Sequence, residues 1–166
     1  MKQDELLNQF EEEFKAMKKE LGIKPSLEDY DNIFFLTDLV LKEGFVSKHL
    51  SRWTCMRIAE TYMSWVNYLH NIMNPNPSYL IGMNESQAFR DKEIKGIGDL
   101  IGEIMVLVSK NMLLGITKDR VNEKEFLDDS VTFWNETLAP KLKIVLEKVK
   151  SKWAKDAKLA EEKKPI

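Results

Sequence analysis

The chain has 166 residues, of which 43% are apolar and 31% charged, with a net charge of -2. A single domain of this size buries roughly 70% of the surface its unfolded chain exposes, so a core can form without staples, and the near-neutral balance lacks the strongly basic imprint of a nucleic-acid-binding domain. The lone Cys55 excludes an internal disulfide framework and a cysteine-rich zinc site.

In chain order, Leu7, Phe10, Phe14, Met17 and Leu21 alternate three and four residues apart, which places them on one stripe of a first helix. Residues 1–21 carry charge throughout and lack the continuous apolar core of a signal peptide. Gly22 and Pro25 stop the helix, and Ser26 with Asp29 forms a capping arrangement for the next. The spacing of Tyr30, Ile33, Phe34, Thr37 and Leu41 predicts that this second helix runs unbroken to about Lys42, ahead of Gly44.

Ser47 or Ser51 caps a third helix reaching Met73, whose apolar face (Cys55, Ile58, Ala59, Tyr62, Val66, Leu69) is wide enough for a central position. The two prolines of residues 74–78 break the chain. A glycine-bearing helix follows Gln87 and runs to about Leu114, and the last helix starts at Thr117 or Asn122. There Leu127, Val131, Trp134, Leu138, Leu142, Val145, Val149 and Trp153 hold helical phase across Pro140, which predicts a kink and not a stop. The expected fold is all-α, an up-down bundle of four long helices plus a short extra N-terminal or capping helix. It occupies residues 1–153, and residues 154–166 form a charged tail without order.

Gly96, Gly98 and Gly102 lie inside an apolar helix, where each costs roughly 1 kcal/mol relative to alanine. Gly98 and Gly102 stand one turn apart on the side of Ile94, Ile101 and Met105, so that a neighbouring helix or a second subunit can approach the backbone closely. They form the expected close-packing interface. Gly96-x-Gly98-x-x-x-Gly102 is one residue too long at its last spacing for a dinucleotide fingerprint and follows no strand.

The segment from Gly98 and Asp99 through Val108 to Ile116 is similar to one helix of the MazG-like all-α nucleotide pyrophosphohydrolases. In that family a Glu-x-x-Asp pair and an upstream Glu-Glu-x-x-Glu group hold magnesium. The resemblance covers about twenty residues, with Gly96 standing where the family carries glutamate, and it implies a magnesium site at Glu60, Asp99 and Glu103, with Glu93 as a further ligand. Read from the residues alone, Lys95 precedes Asp99 by four positions and pairs with it on a solvated face.

Arg57, Glu60, Thr61, Ser64, Asn67, Tyr68 and Asn71 make one polar stripe along the third helix. Such a stripe faces solvent, or, if the helix is central, lines a polar cleft in which Arg57, Glu60, Ser64 and Asn67 meet an anionic ligand. His49 and His70 belong to no metal-binding pattern; His70 falls at the edge of the core, and Cys55 is expected to be buried and inert. Lys141, Lys143, Lys148, Lys150, Lys152, Lys155 and Lys158 make the chain's end basic around Trp153. That end suits a solvated face, with weak nucleic-acid binding as the alternative.

The longest apolar runs, residues 33–36 and 104–108, fall short of the ~20 residues a bilayer span needs. The sequence therefore favours a cytoplasmic binding or assembly module over an enzyme: a homodimer with no cofactor and no membrane insertion. The magnesium-dependent pyrophosphohydrolase is the alternative.

Overall fold

The structure, a computed structural model, describes residues 2–163. Among them the ordered elements are all helical: α1 (Gln3–Leu21), α2 (Leu27–Phe34), α3 (Leu36–Glu43), α4 (Leu50–Met73), α5 (Leu80–Ser86), α6 (Asp91–Thr117), α7 (Arg120–Phe133) and α8 (Ala139–Glu162). A π-helical turn, Trp134–Leu138, joins α7 to α8.

The first helix follows its stripe. Phe10, Phe14 and Met17 are buried together with Leu6, while Leu7 is only half-buried. Gly22 ends it in a left-handed conformation at φ 69°, donating its N–H to the Lys18 carbonyl at 2.9 Å. The Ser26 hydroxyl then accepts from the Asp29 N–H at 3.1 Å while the Asp29 carboxylate accepts from the Ser26 N–H at 2.7 Å, closing the expected capping box.

The second helix is not continuous. Phe35 adopts φ 54°, ending α2 and starting α3, and the Asp31 carboxylate accepts from the Thr37 N–H across the break at 2.8 Å. The reason is tertiary: Phe34 and Leu36, on either side, are both buried, while Phe35 itself points outward. The short α5 also occupies residues that the sequence reading leaves outside any helix. At Pro140 the chain stays helical. The Ala139 N–H bonds to the Trp134 carbonyl, five residues back, and this wide turn accommodates a ring that would clash with the preceding turn of a regular helix. α8 then continues past Trp153 to Glu162, through residues expected to lack order; residues 164–166 lie outside the described ones.

α4 and α6 form the most extensive helix pair, and α7 packs on both. They run antiparallel, since Arg52 meets Asn111 at one end and Met73 meets Gly98 at the other. Edge-on aromatic pairs tie the first half of the chain to this centre: Phe10 to Phe14, Phe14 to Tyr30, Phe34 to Tyr62 and Tyr62 to Phe133, with centroids 5.8–6.4 Å apart. The Tyr30 hydroxyl donates to the Leu127 carbonyl at 3.0 Å, and the Tyr62 hydroxyl donates to that of Ser130. α7 is thereby held against α2 and α4.

Candidate functional site

The polar stripe of α4 does not enclose a cleft around Arg57. The Arg57 guanidinium donates to Glu43 at the end of α3 and to Glu60 at 2.7 Å, and it lies over the Trp53 ring at 5.5 Å. The Trp53 indole N–H donates to the same Glu43 carboxylate at 3.1 Å. Glu60, Ser64 and Asn67 are exposed, and the Ser64 hydroxyl turns back onto the Glu60 carbonyl at 3.0 Å. Arg57 is therefore a strut between two helices, and the other three residues face solvent.

Nor does the structure gather Glu60, Asp99 and Glu103. Glu60 is engaged by Arg57, Glu103 accepts from Lys141 at 3.1 and 3.2 Å, and Glu93 pairs with Lys148. Asp99 is exposed. Among the described residues no group of three or more histidine, cysteine or acidic side chains is arranged to hold a metal ion. A hard cation needs several free carboxylate oxygens converging on one point, and three of these four acids are committed to cations of the protein itself.

His70 is exposed in the last turn of α4 and not at the core's edge, and the exposed His49 stands just before that helix. Cys55 is buried, with burial first and the Glu123 carboxylate second pushing its thiol up to about 12. Burial, followed by the neighbouring Glu85 carboxylate, likewise pushes Tyr68 up to about 12. Neither residue is poised as a nucleophile or base.

The basic end serves as a clasp. Lys141 and Lys148 pair with Glu103 and Glu93, so α8 runs antiparallel to α6. Lys152 donates to Asp156 at 2.7 Å and to Asn84 at 3.1 Å, and the Trp153 indole N–H donates to Glu85 at 3.1 Å, which fastens α5 to α8. Lys143, Lys150, Lys155 and Lys158 remain exposed.

On α6 the two glycines part company. A β-carbon on Gly98 would stand 3.1 Å from the Met73 sulfur, a close approach within the chain. Gly102 has nothing within 4 Å of that position and is open on its outer side. The buried stripe of the helix is Ile97, Leu100, Ile104, Leu107, Val108 and Leu114. Gly102 belongs to the opposite face, where Val106, Met112, Leu113 and Ile116 are between 60% and 80% exposed. The chain matches no protein-family model, no curated protein and no solved structure. Its own surface carries the functional reading.

That apolar outer face makes α6 long and apolar enough to cross a membrane by length and composition. Uninterrupted apolar runs are short here, but an eighteen-residue window of α6 averages a mean hydropathy of 1.5, and 33% of that window is buried in the bundle. A core helix of a soluble protein reaches the same average.

Among the described residues four polar side chains are buried: the Thr54 and Ser130 hydroxyls turn back onto the Leu50 and Phe126 carbonyls of their own helices, while Asn111 and Glu123 reach other side chains. Asn111 lies on the buried face of α6 four residues after Leu107, and Glu123 lies on that of α7 three before Phe126. A polar side chain at a core phase position is the signal the sequence offers, since burying one without partners costs several kcal/mol. Both have partners. The Arg52 guanidinium donates to the Asn111 side chain at 2.7 Å, and Arg120 donates to Glu123 at 3.2 Å.

Proposed function

We propose that this chain is a binding and assembly module, an up-down helix bundle that pairs with a second copy of itself through the outer face of α6. The observation that carries the reading is the coincidence of a bare backbone at Gly102 with four exposed large apolar side chains on the same face. Scattered exposed apolar residues are ordinary, but a contiguous set of them on one helix marks an interaction surface. The antiparallel runs of α4 with α6 and of α6 with α8 support the bundle topology.

The arrangement favours a two-fold axis at Ser109. In an antiparallel α6 pair centred there, Gly102 of one copy lies opposite Ile116 of the other, and Val106 opposite Met112. The largest projection then meets the barest backbone, which is how helices reach their closest approach. Eight side chains, four from each copy, at about 1.5 kcal/mol apiece supply on the order of 10 kcal/mol, against an association cost of about 4–15 kcal/mol. The two are of the same order, so the expected dimer is weak and forms only as the chain concentration rises.

Sedimentation across a wide concentration range tests it. The parent chain is expected to pass from monomer to dimer, and Gly102→Leu or Ile116→Asp is expected to hold it monomeric with unchanged helical content. A parent chain that stays monomeric throughout, or variants that dimerise like the parent, would refute the reading.

A further inference from the structure

We propose that the cleft at the end of the bundle where α4 and α7 begin is a binding site for a small organic anion, a phosphate or carboxylate group on an apolar body, anchored by Arg52. The site is separate from the α6 face. The cleft has a volume of about 800 Å³, within the range of small-molecule sites. Three segments distant in sequence build it: the last turns of α1, residues 48–52, and the stretch from the end of α6 into the first turn of α7.

Two neighbouring sets of polar contacts line it. Arg52 uses one terminal nitrogen on the Asn111 side chain at 2.7 Å and the other on the Asn111 carbonyl at 3.1 Å. Next to it, the Ser51 hydroxyl accepts from Arg120 at 3.4 Å, and Arg120 donates in turn to the buried Glu123 and to Glu20. The guanidinium of Arg52 is thus fixed by α6, and two contacts leave several of its five N–H donors for an incoming oxygen.

Gly115 keeps this arrangement open. A β-carbon there would stand 3.3 Å from the Arg52 terminal nitrogen, so the glycine lets the guanidinium lie against the α6 backbone. The cationic side chains of the cleft are Lys48, Arg52, Lys118 and Arg120, and the acidic ones are Glu13, Glu20 and Glu123. Arg120 bridges Glu20 and Glu123, and Glu13 accepts from the neutral Gln9 amide at 2.6 Å, so four cations face three carboxylates and the lining keeps a net positive charge. Lys48, Arg52 and Lys118 make no ion pair with a carboxylate among the described residues. The start of α4 adds to them, because no side chain caps it and its positive end opens on residues that line the cleft. Met17, Leu50 and Leu114 supply an apolar floor for the body of the ligand.

Calorimetric titration of the full chain with inorganic pyrophosphate and, separately, with octanoate tests the site, with amide chemical shifts as the second readout. At least one probe is expected to saturate a single site and to shift the amides of Leu50, Ser51, Arg52 and Gly115; which probe does so tells phosphate from carboxylate. Arg52→Gln is expected to weaken that binding by about tenfold or more, as loss of a charge-assisted pair does, and the exposed-face control Lys143→Gln to leave it unchanged. Should Arg52→Gln fail to fold, the double variant Lys48→Gln/Lys118→Gln decides in its place, with about tenfold weakening expected from two lost charges. No saturation by either probe overturns the proposal, as does equal loss in the Lys143→Gln control or parent-like binding by the cleft variants.

Discussion

The thioether sulfur of Met73 lies 3.1 Å from the place where a β-carbon on Gly98 would stand, at the point where α4 ends against the start of α6. Gly102, one turn on, meets nothing within 4 Å. The two glycines therefore respond differently to substitution. Gly102→Ala, assayed by urea unfolding at concentrations where the chain is monomeric, is expected to raise stability by up to about 1 kcal/mol, the difference in helix propensity. Gly98→Ala is expected to change little, because the same gain is offset by the displacement of a flexible methionine tip. Gly98→Leu is expected to cost about 1–3 kcal/mol by overpacking against Met73.

Phe35 pays for the break between α2 and α3 with a left-handed backbone at φ 54°, a conformation that costs a side-chain-bearing residue of order 1 kcal/mol or more. Its ring is 61% exposed, so little packing is lost on removing it. Phe35→Gly is expected to leave stability unchanged or to raise it by up to about 1 kcal/mol, the relief of strain being partly cancelled by the greater freedom of the unfolded chain. A loss of more than about 1 kcal/mol in the urea midpoint would mean that the ring holds α2 to α3.

Much of the helical frame was legible because its signals are local. Phe10, Phe14 and Met17 sit at helical spacing and are buried, as are Ile58, Tyr62 and Leu69, and the Ser26–Asp29 box declares itself within four residues. The break at Phe35 has no such signal, since phenylalanine neither ends helices nor favours positive φ; it follows from burying Phe34 and Leu36 in succession. Arg57 stood out on an amphipathic stripe, yet its partner Glu43 lies on another helix. The end cleft joins Arg52, Asn111, Arg120 and Glu123 across three helices, so no spacing rule reaches it. What the sequence did offer was a polar residue at two positions whose phase is that of the core.

Alkaline pH is expected to destabilise the fold. Burial pushes Cys55 and Tyr68 up to about 12 and raises Tyr30 and Tyr62 above the ordinary tyrosine range. In the unfolded chain these groups ionise near 8.5 for cysteine and 10 for tyrosine. Between those values and the native ones the unfolded chain holds fewer protons than the native protein, so stability falls as pH rises. The urea midpoint is expected to be flat from pH 6 to about 8 and to decline from about 9 upward, with Tyr68→Phe declining less steeply. At pH 8 Cys55 is expected to resist a disulfide exchange probe until denaturant is added, and rapid labelling of the native chain would contradict its burial.

Glu43 holds the junction of α3 with α4. Its carboxylate accepts from the Arg57 guanidinium and from the Trp53 indole N–H, and both charged side chains are at most a quarter exposed. Removing that charge leaves Arg57 and Trp53 short of an acceptor in a half-buried setting, where a charge-assisted bond contributes about 1.5–3 kcal/mol. Glu43→Ala is therefore expected to cost about 2 kcal/mol in urea unfolding. Glu60, the second partner of Arg57, is more than half exposed, and its ion pair is screened by water. Glu60→Ala is expected to change stability by no more than about 0.5 kcal/mol. Equal losses from the two substitutions would show that Arg57 is held by its own helix and not by α3, and the junction would then rest on apolar packing alone.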